Sequence, residues 1–241
     1  IKSDEILTNL NGLVSSGKVA ILADSSYSIA RKELVAKLKD KGFIWAEFDS
    51  IDTISFESEL AAKLNSKKPV RAIPKLKNAS RVLAVDCDFM GSREAYSLAN
   101  SRNFMSGRKV SKPKDALKMN RLYSVEADMT ITGGVADHRL RLESSRMKSF
   151  LCLLGAEILK TKARDEIALI KKFSDLAKNT SEYSNWAKIC AKDLISAKGK
   201  SLILAGNHLD AESHLIVYFL NDLLGSIDKT VSYVTRPSNS N

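Results

Sequence analysis

Short apolar runs alternate with helix-like stretches along this chain, and that alternation limits the fold more than any other feature. The clearest run is residues 81–88 (RVLAVDCD), which is almost continuously apolar. Such a run is typical of a strand that is covered on both faces in a parallel sheet. Because parallel strands need long crossover connections, the pattern predicts an α/β fold with an open, mostly parallel, doubly wound sheet and helices on both faces.

The order of the predicted elements is regular. Strands are predicted at residues 18–24, 43–49, 81–88, 121–128, 138–142, 201–206 and 230–235. Helices are predicted at residues 28–41, 53–65, 92–105, 144–160, 164–179, 185–197 and 210–224. Residues 66–77 contain Pro69 and Pro74 and are predicted to be a connector. Two strands before it would make a poor independent core, so we expect one domain over residues 1–236 and a disordered tail at 237–241.

The composition is that of a globular chain. Of the 241 residues, 44% are hydrophobic and 27% are charged, which is enough apolar material for a core. No apolar run reaches the ~18 residues needed to cross a bilayer, so no direct membrane span is predicted here. The chain begins at Ile1 rather than at a Met, and we therefore expect it to be a piece of a longer protein.

Cysteine and histidine are too sparse to predict a metal site. Cys87, Cys152 and Cys190 have no CxxC spacing, which argues against a disulfide framework, a zinc ribbon or an iron–sulfur ligand set within these residues. We expect all three to be buried as small hydrophobic side chains. The three histidines form no HExxH motif and no His/Cys cluster.

Residues 102–121 contain seven of the chain's basic side chains against Asp115 alone, in a protein of formal net charge +10. Such a segment could bind nucleic acid or anionic lipid headgroups, or it could be a solvated loop, which is the simplest interpretation. Gly107 and Pro113 interrupt any helix, and no aromatic ladder is present for base stacking, so no nucleic-acid partner is predicted. Among functional roles, docking onto an acidic neighbouring subunit is favoured.

The strand ends carry the functional argument, because ligands of open α/β sheets bind beyond the carboxyl ends of the strands. These ends read Asp24-Ser25-Ser26, Asp86-Cys87-Asp88, Glu126-Ala127-Asp128 and Gly206-Asn207-His208. Three of the four present carboxylates, whereas phosphates favour glycine-rich turns with Lys or Arg nearby. Since neither GxGxxG nor GxxxxGK[ST] occurs, a dinucleotide or P-loop function is not supported.

The carboxylates leave two interpretations open. Asp86 and Asp88 are two residues apart and, with Glu126 or Asp128, could hold Mg²⁺ or act as an acid/base pair. The simpler alternative is that they cap turns and helices by accepting backbone N–H bonds. Nucleophilic catalysis is not supported, because no GxSxG motif and no recognisable Cys–His spacing is present.

Three stretches, taken in order, resemble the α/β domain of the molybdopterin oxidoreductases. They are residues 81–91 (RVLAVDCDFMG), residues 120–142 (NRLYSVEADMTITGGVADHRLRL) and residues 201–228 (SLILAGNHLDAESHLIVYFLNDLLGSID). Their order and spacing extend the resemblance over residues 19–233 or so. In that family the first two strands end in turns that bind the guanine dinucleotide of the pterin cofactor.

The sequence departs from the family pattern at those turns. Asp86 and Asp88 stand in the first turn, and the second turn, at Glu126, lacks the family's Pro-Arg pair. These acids would repel a polyanionic cofactor, so the resemblance implies a vestigial pocket that binds no cofactor. The pocket is expected to comprise Asp86, Asp88, Glu126, Asp128, Thr130, Asp137, His138, Arg139 and Asn207. We further expect an ion-pair network among Glu126, Asp128, His138 and Arg139, with Arg139 as a bidentate partner.

A narrower resemblance fits these losses. The strings DxDFxG at 86–91, MNRLYxVE at 119–126 and ADHRL at 136–140 resemble the large iron–sulfur subunit of alternative complex III, a membrane-bound quinol:electron-acceptor oxidoreductase. The resemblance implies a scaffold domain without molybdopterin, clusters or catalytic activity of its own, with iron–sulfur clusters in a downstream region. It also implies contacts with other domains of the same chain and with other subunits, in a peripheral position on the outer (periplasmic) side of the bacterial cytoplasmic membrane.

Two alternatives stay open beside the scaffold. The domain could contribute to a molybdenum or tungsten bis-pterin guanine dinucleotide site of an oxidoreductase. It could also be an independent α/β enzyme that uses Asp86, Asp88 and Glu126 with a divalent cation.

Overall fold

The computed structural model describes residues 3–15, 19–26, 28–50, 55–92, 94, 96–162 and 165–235. These residues fall into two compact units, one within residues 1–52 and one within residues 53–238. The single domain over residues 1–236 stays a prediction, and the predicted tail at 237–241 lies outside the described residues.

The smaller unit is a βαβ arrangement preceded by a helix. Its elements are α1 (Ser3–Ser15), β1 (Ala20–Ala23), α2 (Ile29–Asp40) and β2 (Ile44–Glu47). Strands β1 and β2 pair in parallel, with Ala20 opposite Ile44. Ser28 caps α2 by accepting a hydrogen bond from the Arg31 amide at 3.3 Å, and Gly42 follows the helix with a φ of 89°. That positive φ explains the glycine, as the sequence pattern predicts.

The larger unit contains the remaining elements. Its helices are α3 (Ser55–Lys63), α4 (Ser97–Ser106), α5 (Ile131–Gly134), α6 (Met147–Lys162), α7 (Ile167–Leu176), α8 (Ser184–Ser196) and α9 (Ala211–Leu223). Its strands are β3 (Val70–Pro74), β4 (Arg81–Val85), β5 (Arg121–Glu126), β6 (His138–Arg141), β7 (Ser201–Ala205) and β8 (Val231–Thr235). Short 3₁₀ helices lie at Leu76–Asn78, Pro113–Lys118, Ser144–Arg146 and Lys178–Tyr183.

A four-stranded parallel sheet, in the order β6-β5-β4-β7, forms the centre of this unit and confirms the predicted α/β fold. Its two faces are covered by different cores. On one face Leu83, Tyr123 and Ile203 pack with α6, α8 and α9. On the other face Val82 and Leu122 pack with residues of α4, β8 and the Leu76–Asn78 turn, among others. Burial on both faces explains why residues 81–88 are so apolar.

The predicted connector at residues 66–77 is wrong in one part, because β3 lies inside it. Strand β3 pairs antiparallel with β8, with Val70 opposite Thr235 and Pro74 opposite Val231. Pro74 is at the last position of β3, where a missing N–H interrupts the ladder least. Pro69 directly precedes β3 and Pro74 is its last residue, so the two prolines mark the two ends of a strand rather than a continuous loop.

No helix among the described residues is both long enough and apolar enough to cross a membrane. The three cysteines are buried, as predicted, at 8%, 1% and 0% exposure for Cys87, Cys152 and Cys190.

Candidate functional site

Asp86 lies at the centre of the sheet's carboxyl edge, directly after β4. Its backbone φ is 49°, a left-handed conformation that is uncommon outside glycine. Its carboxylate accepts hydrogen bonds from Ser144 Oγ at 2.5 Å and from the Ala127 amide at 3.3 Å. His208 Nε2 lies 3.0 Å from the same carboxylate. Because these partners follow β6, β5 and β7, Asp86 joins the ends of all four strands.

The same contacts control the ionisation of Asp86. Burial, which leaves the side chain 11% exposed, acts to raise the pKa of this carboxyl group. Hydrogen bonds from His208, Ser144 and the Ala127 amide outweigh the burial and lower the pKa of Asp86 below its usual range. Asp86 is therefore ionised at neutral pH and contributes a negative charge to this edge.

Asp88 links the turn after β4 to the start of α5 through hydrogen bonds. Its Oδ1 accepts hydrogen bonds from Thr132 Oγ1 at 2.7 Å and from the Thr132 amide at 3.0 Å. The buried Thr132 hydroxyl in turn accepts a hydrogen bond from the Met90 amide at 3.1 Å. A Cβ on Gly91 would collide with the Asp88 carboxylate, so only glycine leaves room for this arrangement. Asp88 thus has the capping role that the simpler interpretation of the sequence predicts.

Glu126, the last residue of β5, is the most deeply buried acid of this edge, with 3% of its side chain exposed. Its Oε1 accepts from Arg139 Nε at 2.5 Å and its Oε2 from Thr130 Oγ1 at 2.6 Å. Thr130 caps α5 by accepting from the Gly133 amide at 3.0 Å. The predicted ion pair is present, but the predicted bidentate geometry is not. The reason is that Arg139 directs its other donor to the Asp128 backbone carbonyl, at 3.2 Å.

Two residues of the predicted pocket lie elsewhere. Asp137 and His138 are at the amino end of β6, which runs parallel to β5, so they are at the edge of the sheet opposite to Glu126. Asp137 accepts a hydrogen bond from the Leu122 amide at 2.7 Å and forms an ion pair with Arg108. The ring of His138 stacks on the ring of Tyr123, with centroids 4.7 Å apart. The structure therefore brings neither residue into the pocket.

Glu94 completes a cleft at the carboxyl edge, whereas the predicted pocket residue Asn207 lines a neighbouring cavity and not this cleft. The backbone N–H of Asn207 donates to Glu94 Oε1 at 3.1 Å, and burial raises the pKa of Glu94 above its usual range. The cleft is lined by Asp86, Asp88, Glu94, Ala127, Asp128, Thr130, Ser144 and His208. Among the described residues, this lining contains four carboxyl groups and neither Lys nor Arg. Such a cleft disfavours a polyanionic ligand.

The three acids considered for a cation site, Asp86, Asp88 and Glu126, do not form a metal-binding group among the described residues. Asp86, Asp88 and Glu126 each accept a short hydrogen bond from a different hydroxyl group. Within the ranges that the structure describes, no group of three or more His, Cys, Asp or Glu side chains is arranged to hold a metal ion. The geometry therefore does not support a divalent-cation site that combines these three acids.

A second, more apolar cavity lies beside the first and shares Glu94 with it. His214 of α9 lines this cavity and stacks on Phe56 of α3, with ring centroids 3.9 Å apart. Burial lowers the pKa of His214 to about 4. A hydrogen bond to the Gly206 backbone favours the charged form but does not outweigh the burial. His214 Nε2 is buried and has no hydrogen-bond partner among the described residues. His214 is therefore a neutral core residue at pH 7.

Three residues of this edge were not among those predicted for the pocket. Ser144 follows the end of β6 and His208 follows the end of β7. Both could therefore have been predicted from the rule that ligands bind beyond the carboxyl ends of parallel strands. Glu94 falls within the helix predicted at residues 92–105, but the structure begins α4 at Ser97, and the sequence contained no signal for a role of Glu94 at this edge.

Comparison with known proteins gives the fold and no family. No protein-family model and no curated protein matches the chain. Among solved structures, the chain is similar to acetylene hydratase from Pelobacter acetylenicus, with a TM-score of 0.54 over 96% of this chain at 10% identity. The chain spans 33% of the length of that protein. The similarity supports a shared fold, while function has to be argued from the residues of the edge.

Proposed function

We propose that this chain is a scaffold domain of a respiratory electron-transfer subunit of the molybdopterin oxidoreductase type, and that the domain itself binds neither pterin nor clusters. In this role the α/β fold of a cofactor enzyme is retained while its strand-end edge holds the domain together. The parent protein would resemble the large iron–sulfur subunit of alternative complex III, a quinol:electron-acceptor oxidoreductase.

The observation that carries the proposal is the chemistry of the carboxyl edge. In this fold the phosphates of a dinucleotide would approach the turns after β4 and β5. Those turns present the ionised Asp86 and the buried Glu126, and each carboxylate is bonded to a hydroxyl of its own chain. A phosphate there would have to displace these bonds and then lie beside like charges. The donor set therefore does not fit a pterin guanine dinucleotide.

The fold similarity supports the proposal at a coarser level. Acetylene hydratase is a tungsten-containing enzyme of the molybdopterin type, and it shares this fold over a third of its length. The sequence strings at 86–91, 119–126 and 136–140 add the narrower relation to alternative complex III. The iron–sulfur clusters would then lie in a region beyond this chain. The proposed partners are the other domains and subunits of a membrane-bound complex, on the outer side of the cytoplasmic membrane.

Metal and pterin analysis tests the proposal. The parent protein would be produced in a bacterial host that makes the pterin cofactor, because the bis-pterin alternative needs domains outside this chain. Acetylene hydratase produced in the same host would be the positive control. We expect the purified parent protein to contain far less than one equivalent of molybdenum, tungsten or oxidised pterin, and this chain produced alone to be colourless. Stoichiometric metal together with pterin, retained through gel filtration, would refute the scaffold and favour the bis-pterin alternative.

A thermal-shift titration tests the alternative of a divalent-cation enzyme. A ligand that binds the folded state at 100 times its Kd stabilises it by about 2.7 kcal/mol, which is readily measured. We expect Mg²⁺ and Mn²⁺ to leave the melting temperature unchanged. A rise that disappears in the Asp88→Asn variant would instead support a cation site at this edge.

A further inference from the structure

Residues 109–118, here termed the basic segment, connect α4 to β5 in the larger unit and are mostly exposed. Their base is anchored by Arg108, whose Nε donates to Asn120 Oδ1 at 3.1 Å and which also pairs with Asp137. Asn120 Nδ2 donates in turn to the Phe104 carbonyl at 2.8 Å. The segment is therefore held at its base, and its own side chains take no part in that anchoring.

The lysines of the segment face solvent and have no acidic partner. Lys109, Lys112, Lys114 and Lys118 are all exposed, and no carboxylate within the described parts of the chain pairs with their ammonium groups. Asp115 is the one acid of the segment. Its Oδ2 accepts hydrogen bonds from the backbone amides of residues 111 and 112, at 3.0 and 2.9 Å. The segment thus presents four positive charges to its surroundings.

Two large apolar side chains are exposed among these charges. Leu117 is 90% exposed and Val110 is 47% exposed. Within the 3₁₀ helix Pro113–Lys118, side chains three residues apart eclipse each other, so Leu117 and Lys114 point to the same side. An apolar side chain flanked by lysines is the pattern that inserts at a membrane interface, with the ammonium groups at headgroup level.

We propose that the basic segment binds the surface of an anionic lipid bilayer, with Leu117 inserted between the headgroups. A protein partner is less well matched, because protein interfaces are depleted in lysine relative to arginine. A nucleic acid is less well matched because the segment has no aromatic side chain for stacking. The proposal is independent of the scaffold role, since lipid binding can fail while the pterin analysis still supports a scaffold.

Vesicle co-sedimentation of the 241-residue chain tests the proposal. The probe is phosphatidylcholine vesicles with and without phosphatidylglycerol, at about 0.1 M salt, where the Debye length is ~10 Å. We expect binding to the anionic vesicles alone, and its release in high salt. Substituting Lys109, Lys112, Lys114 and Lys118 by Gln should weaken the partitioning by about 100-fold or more, since each lysine contributes roughly a 5-fold factor. Leu117→Gln should weaken it by about 10-fold.

Matched variants separate this site from general electrostatics. Replacing the exposed Lys171, Lys172, Lys188 and Lys192 by Gln removes the same charge from other surfaces, and Ile167→Gln removes another exposed apolar side chain, 73% exposed. These controls should retain most of the binding. No binding to anionic vesicles, equal losses in the two lysine sets, or no effect of Leu117→Gln would each overturn the proposal. Acidic polypeptide bound in place of anionic lipid would point to a protein partner and overturn it as well.

Discussion

Arg139→Met is the substitution that most directly tests the structural role of the carboxyl edge. This substitution removes the positive charge but keeps an apolar side chain of similar length. It leaves the carboxylate of Glu126, which is 3% exposed, without its ion-pair partner. Breaking a buried ion pair costs about 3–5 kcal/mol. Since Arg139 is itself 27% exposed and Glu126 keeps its bond to Thr130, we expect a loss of about 2–4 kcal/mol. At about 2–4 °C per kcal/mol, the melting temperature should fall by roughly 4–16 °C.

Tryptophan fluorescence can measure this loss of stability in the larger unit, which contains Arg139. The chain has two tryptophans, and Trp186 contacts Tyr123 and Phe150 beside the four-stranded sheet. A Trp45→Phe background removes the signal of the smaller unit and leaves Trp186 as the reporter. Thermal and urea unfolding would be measured for both proteins in this background, so that a changed midpoint reports the larger unit alone.

Two further variants make the test specific. Arg141→Met changes an exposed arginine of the same strand that forms no salt bridge in the described part of the chain, and it should leave the midpoint unchanged. Adding Glu126→Gln to Arg139→Met should recover about half of the loss, because a neutral amide can still accept from the Thr130 hydroxyl. If Arg139→Met unfolds together with the wild type, or if the double variant is no better than the single one, the reasoning about this edge is wrong.

Three other predictions follow from the same structure. Gly133→Ala should destabilise by about 2–4 kcal/mol in urea unfolding, because its Cβ would displace the Glu126 carboxylate, whereas Gly134→Ala, with its nearest neighbour at 3.9 Å, should be tolerated. Asp86→Asn should cost about 1–2 kcal/mol at pH 7. Because folding lowers the pKa of Asp86 from 3.8, this difference from wild type should be fully present above about pH 3.8 and should be lost as the pH falls further, through the lowered pKa. Between pH 6.5 and about 4 the unfolded state binds a proton that buried His214 does not, so about 2–3 kcal/mol of stability should be lost with falling pH, and His214→Phe should flatten this slope.

Much of the fold could be predicted because its strongest signals are local. The run at 81–88 is apolar on both faces since β4 is central in the sheet, and the helices that cover it have recognisable ends. Strand β3 was missed for a physical reason. Its partner β8 lies far away in the chain, and an antiparallel pairing of that kind leaves no trace in the spacing of residues 66–77.

The candidate site was predicted where a rule connects sequence to position. Asp86 and Asp88 follow β4 and Glu126 is the last residue of the parallel strand β5, and the structure places all three at one edge. Asp137 and His138 were grouped with them on the family resemblance, but they lie at the amino end of β6 and not at its carboxyl end. Arg139 reaches the edge only through the length of its side chain, to Glu126 Oε1 at 2.5 Å.

The choice between a scaffold and a cofactor site depends on this edge, since a likeness at 10% identity establishes the fold alone. A phosphate at the turn after β4 would require Asp86 to be protonated or displaced. Protonation at neutral pH is unfavourable because three hydrogen bonds lower the pKa of Asp86, and displacement would break the contact that joins four strand ends. Displacing Glu126 would in turn leave Arg139 without its partner. Removing one charge, as in Asp86→Asn, should therefore not create a pterin site, and restoring one would require rebuilding both turns together.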